Sequence, residues 1–271
     1  MIPKIIHYVW VGTAPKSDLV LKCIESWKKY CPDYTIREWN NEDVAKIKNA
    51  YIQEAFECKK WAFVSDYLRL YALVTEGGFY CDSDVEITAP IDVFRKHAFV
   101  TGYENWEDSI YHPITAFMGA EKENPIIKDL LAEYDTLHFL TNGVMNQTTN
   151  TKRISKYLER KFNLLPPYDG TKTTYLNKTS IIYPSFYFCT PEGTKENYSI
   201  HHFNASWVEA IPEGPYSKKV LFKLGRFKLV KFKKKIKETK EKFPLMAKER
   251  ILFSTKTSKK KTICLIKKDK K

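Results

Sequence analysis

The sequence has no CxxC pair and no closely spaced cysteine framework. Its six cysteines are scattered along the chain, at Cys23, Cys31, Cys58, Cys81, Cys189 and Cys264. Structural zinc sites and disulfide scaffolds need cysteines at short, recurring spacings. The scatter argues against both and is typical of a protein that folds in a reducing compartment.

Long hydrophobic runs are also missing. No stretch approaches the roughly 18 apolar residues of a transmembrane helix. The opening segment, MIPKIIHYVWVG, lacks the basic start, the apolar core and the small-residue cleavage site of a signal peptide. We therefore expect a cytoplasmic protein whose first strand begins close to residue 1.

Acidic residues are scarce at one end of the chain. Residues 211–271 contain 22 Lys and Arg but 5 Asp and Glu, a local charge of +17. Residues 1–210 contain 23 basic and 27 acidic residues, a local charge of −4. The formal net charge of +13 describes neither part, and the contrast predicts a globular domain over 1–210 followed by a basic tail over 211–271.

Hydrophobic periodicity in the first half alternates between strand and helix patterns. Strands are predicted over 4–11, 34–39, 98–102, 180–188 and 198–203, and helices over 42–57, 61–75, 91–96 and 152–162, with further helices starting at Ser17 and at Asn124–Pro125. Residues 103–118 and 141–152 are assigned to loops. This order predicts an α/β fold with a mainly parallel central sheet flanked by helices.

After residue 210, lysines alternate with bulky apolar residues. Phe227 and Val230 would form one helical seam, and Leu229, Phe232 and Ile236 another. We therefore predict a basic C-terminal helical tail with a broad apolar face.

The segment GGFYCDSDVEI, residues 77–87, places Asp82 and Asp84 one residue apart at a strand end. In an extended strand, alternate side chains point to the same side, so two like charges would lie together. The pair could share a divalent cation through its oxygens, one carboxylate could be a nucleophile, or both could be solvated turn residues. Parallel-sheet enzymes bind ligands at the carboxyl ends of strands, where this pair is expected.

The helix predicted over 61–75 runs directly into this segment. It carries Asp66 and Arg69, which lie three residues apart and can pair on one helix face. The plain alternative is an ordinary surface ion pair, which contributes little.

Two histidines and two tryptophans are further candidates. His201 and His202, in IHHFNASW, are strand neighbours that point to opposite sides, so at most one faces a shared metal. Trp10 and Trp207 are either core aromatics or flat surfaces for stacking a nucleotide base.

Three segments, IPKIIHYVWVG, SDYLRLYALVTEGGFYCDSDVEI and IHHFNASW, resemble in this order glycosyltransferase family 32. The pattern is also similar, more distantly, to the glucosyltransferase domain of the large clostridial toxins. The resemblance covers about residues 1–210 and is strongest over 1–12 and 61–90. It implies a GT-A-type nucleotide-sugar transferase fold.

The resemblance also implies a metal site. Asp82 and Asp84, with Ser83 between them, match the DXD motif that holds the ribose and the metal-bound diphosphate of the donor. Asp84 is counted as catalytic as well. His201 resembles a late histidine near the metal, and His202 is the reserve candidate because the match by eye is uncertain by one position.

Four other positions match the donor site of the family. Asp66 and Arg69 match residues that contact the donor sugar and phosphate, and are counted as catalytic. Trp10, next to Val11, matches the aromatic residue that stacks on the base, and Trp207 matches the late tryptophan over the diphosphate. Val11 is included among the donor-binding residues.

The implied activity is metal-dependent hexosyl transfer with retention at the anomeric carbon. The donor is a nucleotide-diphosphate sugar, for which we take a UDP-sugar, the cofactor is Mn²⁺ or Mg²⁺, and the acceptor is a glycan hydroxyl in capsular, exopolysaccharide or lipopolysaccharide biosynthesis. The sequence shows no convincing covalent nucleophile, which favours front-face attack by the acceptor hydroxyl.

Two other functions fit parts of the sequence. DSDV also matches the nucleophile loop of haloacid-dehalogenase-like phosphohydrolases, in which Asp82 would be phosphorylated and Asp84 would be the acid/base. In phosphohydrolases of this type, the motif is expected directly after the first strand. A nucleic-acid binder rests on the basic tail alone, and the acidic body argues against it.

The tail itself predicts a membrane contact. Lysines interleaved with Phe, Leu, Val and Ile suit an interfacial element attracted to anionic lipid. A solvated end of the chain is the plain alternative. We expect a peripheral protein on the inner face of the plasma membrane, where a lipid-linked acceptor would be within reach.

Overall fold

The computed structural model describes residues 1–106 and 109–204, together with four short strands between residues 250 and 267. Contacts divide the chain into two units, Met1–Trp207 and Val208–Lys271. All candidate site residues belong to the first unit, and all of them except Trp207 are among the residues that the structure describes. Trp207 itself lies outside them.

The helices of the first unit match the predicted helical segments in most places. They are α1 (Asp18–Tyr30), α2 (Asn41–Lys46), α3 (Ala50–Glu57), α4 (Trp61–Thr75), α5 (Pro125–Ala132), α6 (Asn150–Phe162) and α7 (Ser185–Phe188). Ser17 and Asn124 are N-caps, as the sequence predicts. The segment predicted over 91–96 is a short 3-10 turn at Asp92–Phe94.

The single helical segment predicted over 42–57 is wrong, because it consists of two helices. The first ends at Lys46, and the second starts after Asn49, whose side chain accepts a hydrogen bond from the backbone N–H of Ile52. The side chain of an N-cap asparagine accepts a backbone hydrogen bond at the start of its helix, and the asparagine itself has a non-helical backbone. The preceding helix therefore cannot continue through Asn49.

The strands of the first unit are β1 (Ile5–Val9), β2 (Thr35–Trp39), β3 (Gly78–Cys81), β4 (Val85–Ile87), β5 (Phe99–Trp106), β6 (Ser109–Ala120), β7 (Leu140–Thr141), β8 (Val144–Met145), β9 (Thr174–Tyr175), β10 (Ser180–Tyr183) and β11 (Ser199–His201). Seven of them form one sheet in the order β2-β1-β3-β6-β5-β10-β9. Five strands run in one direction, and β6 and β9 run in the other. The mainly parallel sheet predicted from the sequence is confirmed.

Helices cover both faces of this sheet. One apolar cluster joins the sheet to α3, α4, α5 and α6, and a second joins it to α1 and α7. Within β3, Tyr80 belongs to the first cluster, whereas Phe79 and Cys81 belong to the second. Alternate burial of this kind explains why β3 reads as an uninterrupted apolar run.

Two glycines connect α4 to β3. Gly77 has φ +69° and Gly78 has φ +109°, and a Cβ at these positions would lie 2.6 Å from the backbone N of Lys122 and 2.7 Å from the backbone O of Ile5. Other residues would be strained and would clash with main chain there. The glycine pair therefore lets the helix turn directly into the strand that leads to Asp82.

The loop predicted over 103–118 is wrong. Residues from this range form the end of β5 and most of β6, which pair antiparallel with two register shifts near Tyr103. Bulges of this kind add residues that break strict alternation. The predicted strand over 180–188 is similarly corrected, since β10 ends at Tyr183 and α7 follows.

In the second unit, the described residues form two antiparallel strand pairs, β12 (Arg250–Ile251) with β15 (Ile266–Lys267) and β13 (Thr255–Thr257) with β14 (Lys261–Ile263). The helical seams predicted around residues 227–236 lie outside the described residues. Among the residues that the structure describes, no helix combines the length and hydrophobicity needed to cross a membrane.

Candidate active site

Asp82 and Asp84 lie in a turn between β3 and β4. The backbone N–H of Asp82 still bonds to the carbonyl of Ala116 in β6, at 2.7 Å, and the N–H of Val85 bonds back to the carbonyl of Asp82, at 2.9 Å. The expectation of an extended strand through both residues is therefore wrong. The tight turn nevertheless keeps the two carboxylates close together at the carboxyl end of β3.

The side chain of Asp82 is held by α4 and by its own strand. Its Oδ1 lies 3.2 Å from Nη2 of Arg69 and accepts a 2.7 Å hydrogen bond from the hydroxyl of Tyr80. The same hydroxyl lies 2.8 Å from Oγ of Ser65. Sequence reasoning missed Tyr80 and Ser65 as members of the site, although both stand inside the quoted segment SDYLRLYALVTEGGFYCDSDVEI.

Asp66 is buried beside Arg69. Its Oδ1 is 3.3 Å from Nη2 of Arg69, and its Oδ2 accepts a 2.9 Å bond from the backbone N–H of Asn150, the first residue of α6. The side-chain amide of Asn150 donates to the backbone carbonyl of Asp66 at 3.1 Å. Asp66 therefore joins α4 to the N-terminus of α6, an end of the helix that favours negative charge.

The pKa values of this ion pair follow from burial and charge. Burial, with a contribution from the charge of Asp82, raises the pKa of Asp66 to about 6, against the lowering effects of Arg69 and Asn150. Burial works to lower the pKa of Arg69, but the carboxylates of Asp82 and Asp66 raise it overall. Arg69 thus stays a fixed cation, and its guanidinium also lies over the ring of Tyr80, 4.6 Å from the centroid.

The third candidate metal ligand comes from β11. This strand pairs antiparallel with β4, and His201 lies opposite Val85. Nε2 of His201 is 3.6 Å from Oδ1 of Asp84. Within the described residues, Asp82, Asp84 and His201 form a group in which one possible ligand atom from each residue lies within 4.8 Å of the other two.

These three residues fit a divalent cation. Nδ1 of His201 is buried and has no hydrogen-bond partner among the described residues, so this ring has a nitrogen that its described surroundings leave unsatisfied. Two carboxylates and one imidazole form a donor set that suits Mn²⁺ and is acceptable for Mg²⁺. A cation would also relieve the repulsion between carboxylates held together by the turn.

His202 points elsewhere. Its Nε2 donates to Oε2 of Glu86 at 2.8 Å, whereas its backbone N–H donates to the carbonyl of Asp84 at 3.1 Å. Of the two histidines left open by the sequence, the structure therefore brings His201 to the aspartates. Asn204 adds a 2.9 Å bond from its backbone N–H to Oδ2 of Asp84.

Trp10 and Val11 leave the sheet at the same edge as Asp82. Strands β1 and β3 are parallel neighbours with His7 opposite Tyr80, so the residues that follow both strands emerge together. The indole N–H of Trp10 donates to the carbonyl of Ala14 at 3.0 Å and thereby orients the ring, which is half-buried. Val11 packs against the apolar cluster of α3 to α6. A role of either residue in donor binding stays a prediction.

The part of the chain that contains the aspartate turn is similar to a known family. Residues 17–101, about a third of the chain, match the model of the glycosyltransferase sugar-binding region containing the DXD motif. This region includes α1, α4, Asp66, Arg69 and both aspartates of the turn. This part of the chain is therefore similar to a DXD-type glycosyltransferase sugar-binding region, and it lies in the mainly parallel sheet expected from the sequence, with the motif at the carboxyl edge.

A curated protein with a similar sequence is a distant relative. Subversion of eukaryotic traffic protein A from Legionella pneumophila subsp. pneumophila, strain Philadelphia 1, is 24% identical over 195 residues, which are 58% of this chain and 30% of that protein. The chain thus spans less than a third of the curated relative that it matches.

Two solved structures are also similar. The PaToxG glycosyltransferase has a TM-score of 0.45 and 20% identity, over 60% of this chain and 70% of the other. A glycosyltransferase involved in the glycosylation of the major capsid of PBCV-1 has a TM-score of 0.41 and 16% identity, over 73% and 93%.

The family match also bears on the phosphohydrolase alternative, which is not favoured. The aspartate pair follows β3, the third strand along the chain, whereas the phosphohydrolase loop would follow the first.

Proposed function

We propose that the protein transfers a hexose, with retention at the anomeric carbon, from a nucleotide-diphosphate sugar to a glycan hydroxyl. The donor is taken to be a UDP-sugar, the cofactor Mn²⁺ or Mg²⁺, and the pathway the synthesis of a capsular, exopolysaccharide or lipopolysaccharide glycan. The observation that carries the proposal is the meeting of Asp82, Asp84 and His201 within 4.8 Å, next to a buried Arg69.

The charges around this point favour a divalent cation. Asp66, Asp82 and Asp84 contribute three negative charges when ionised, and Arg69 contributes one positive charge. The four side chains therefore leave a net charge of about −2, which one divalent cation balances. When bound, such a cation would stabilise as a Lewis acid the charge that develops on the diphosphate leaving group.

The residues of the chain have distinct parts in this proposal. Asp82 and Asp84 would hold the cation to which the donor diphosphate binds. Arg69 fixes the orientation of Asp82 through their 3.2 Å contact. Asp66 contacts the same nitrogen of Arg69, Nη2, at 3.3 Å, and we place the donor sugar next to it. Trp10 would stack on the base at the same edge of the sheet. Preorganised charges of this kind supply much of the rate enhancement in group transfer.

The decisive experiment measures nucleotide release from a panel of nucleotide sugars, with and without Mn²⁺. We expect release with at least one donor, and its loss in chelator and in Asp84→Ala. Asp33→Ala is the control, since Asp33 precedes β2 and lies at the opposite edge of the sheet, where it pairs with Lys4. Full activity of Asp84→Ala, or activity unchanged by chelator, would contradict the metal role.

The location of the protein is proposed from the charge of residues 211–271. Each of their excess basic residues would contribute about 1 kcal/mol of attraction near an anionic surface. We propose peripheral binding to the inner face of the plasma membrane, with a lipid-linked glycan as acceptor. Sedimentation with anionic vesicles tests this, by comparing the full chain with a variant lacking 217–271; equal partitioning of the two would overturn it.

A further inference from the structure

The candidate ligand His201 depends on a very short element. Strand β11 has three residues, and its backbone pairs with β4 at the same point where the turn of Asp84 ends. His201 itself bonds through its backbone N–H to the carbonyl of Cys189, at 2.9 Å. A short strand constrains a side chain poorly unless other contacts set its register.

Contacts of that kind come from the next residue, His202. Its backbone N–H donates to the carbonyl of Asp84 at 3.1 Å, and its side-chain Nε2 donates to Glu86 at 2.8 Å. His202 therefore bonds to the DXD turn at Asp84 and to β4 two residues further on. His202 directly follows β11, so holding its ring on Glu86 fixes the end of the strand from which the ring of His201 reaches Asp84.

Glu86 is itself held from a third element. Lys22 of α1 donates to the same oxygen of Glu86, Oε2, at 2.8 Å. The side chains of Glu86 and His202 are 20% and 26% exposed, so the contact between them is largely withdrawn from solvent. Helix α1, strand β4 and strand β11 thus meet at one carboxylate.

We infer that Glu86 and His202 are positioning residues that hold His201 and Asp84 in the geometry for a divalent cation. The inference rests on the proposed function, because it assumes that Asp82, Asp84 and His201 take a metal. Neither Glu86 nor the ring of His202 belongs to the group of possible ligands; both would act through the strand pairing. Residues that orient metal ligands in this way typically change metal affinity by about 10- to 100-fold when they are replaced.

The test measures the Kd for Mn²⁺ of the full chain from the electron paramagnetic resonance signal of the free ion, alongside the unfolding temperature. The variants are Glu86→Gln, His202→Leu and His202→Gln. We expect Glu86→Gln and His202→Leu to raise the Kd by about 10- to 100-fold. His202→Gln keeps a donor for Glu86 and should recover part of the affinity.

A second histidine–glutamate pair provides the control. Nδ1 of His138 lies 2.6 Å from Oε1 of Glu54, in a pair that joins α3 to the segment before β7. His138→Leu and Glu54→Gln remove a similar contact that does not involve β4 or β11. They should leave the Kd for Mn²⁺ unchanged, whatever they do to the unfolding temperature.

The outcomes separate the inference from the proposed function. If the wild-type chain binds no Mn²⁺, the metal-dependent function fails and the inference fails with it. If the wild type binds Mn²⁺ and Glu86→Gln and His202→Leu bind it equally well, the positioning role alone is overturned. A lower unfolding temperature with an unchanged Kd has the same meaning, because it would reduce the contact to an ordinary stabilising one.

Discussion

The guanidinium of Arg69 lies between two carboxylates, with Nη2 3.3 Å from Oδ1 of Asp66 and 3.2 Å from Oδ1 of Asp82. The first contact is local, three residues apart in α4, and the second joins α4 to the turn after β3. Since the side chain of Arg69 is 6% exposed, this is not the surface ion pair that its spacing alone allowed. The helix and the DXD turn are therefore coupled through one buried cation.

Replacing Arg69 should destabilise the fold. In Arg69→Met two carboxylates lose their buried partner, and breaking a buried pair costs about 3–5 kcal/mol. Urea unfolding measures the change. Arg160→Met is the control, because the side chain of Arg160 is 65% exposed and pairs with Glu133, so its loss should cost about 0–1 kcal/mol. Equal effects of the two substitutions would show that the coupling contributes little.

Tyr80→Phe tests the hydroxyl between Ser65 and Asp82. A lost hydrogen bond to a charged group costs about 1.5–3 kcal/mol, and Asp82 should become freer to rotate away from the cation. We expect lower stability in urea and weaker binding of Mn²⁺. Tyr157→Phe removes a hydroxyl that donates to Asp129 at 2.8 Å and should change stability alone. If both substitutions weakened Mn²⁺ binding equally, the hydroxyl of Tyr80 would have no specific part in orienting Asp82 for the cation.

Trp10→Ala tests donor stacking. An aromatic–base stack is worth about 1–3 kcal/mol, so the donor KM should rise by roughly 5- to 150-fold with a smaller change in kcat. Trp10→Phe keeps an aromatic face and should recover most of the affinity. A donor KM that stays the same in Trp10→Ala would assign the indole to packing with its neighbours instead.

His7 predicts a pH dependence of stability. The ring is fully buried, accepts at Nδ1 from the indole N–H of Trp39 at 3.1 Å, and donates from Nε2 to the carbonyl of Gly77 at 2.7 Å. Burial, with a contribution from the charge of Arg37, lowers its pKa from 6.5 to about 4. The neutral ring also means that Glu76, 4.0 Å away, is not its ion-pair partner at neutral pH.

The sign follows from the protons bound in each state. Between pH 6.5 and about 4 the unfolded chain binds a proton at His7 that the folded chain does not, so stability falls as the pH is lowered through this range. The loss attributable to His7 should total about 3 kcal/mol. Urea unfolding of the wild type and of His7→Gln at several pH values measures it, and a constant difference between the two would contradict the lowered pKa.

Local features of the site were predictable from the sequence. Helix α4 has the predicted bounds, because a long apolar period ends at a glycine pair that suits positive φ. The aspartates were placed correctly at the carboxyl end of a buried strand. The break at Asn49 and the long strand β6 were missed, since one depends on a single capping side chain and the other on pairing with β5.

The sequence by itself determined the strand–helix order, the DXD motif and the Asp66–Arg69 spacing, because each depends on residues close together in the chain. Only the tertiary structure decided that Arg69 is buried in contact with two aspartates, that Tyr80 holds Asp82, and that the ring of His201 rather than that of His202 lies at the carboxylate of Asp84. The reason is physical: His201 and Asp84 are more than 100 residues apart along the chain, and their meeting depends on the register of β11 on β4, which no local pattern encodes.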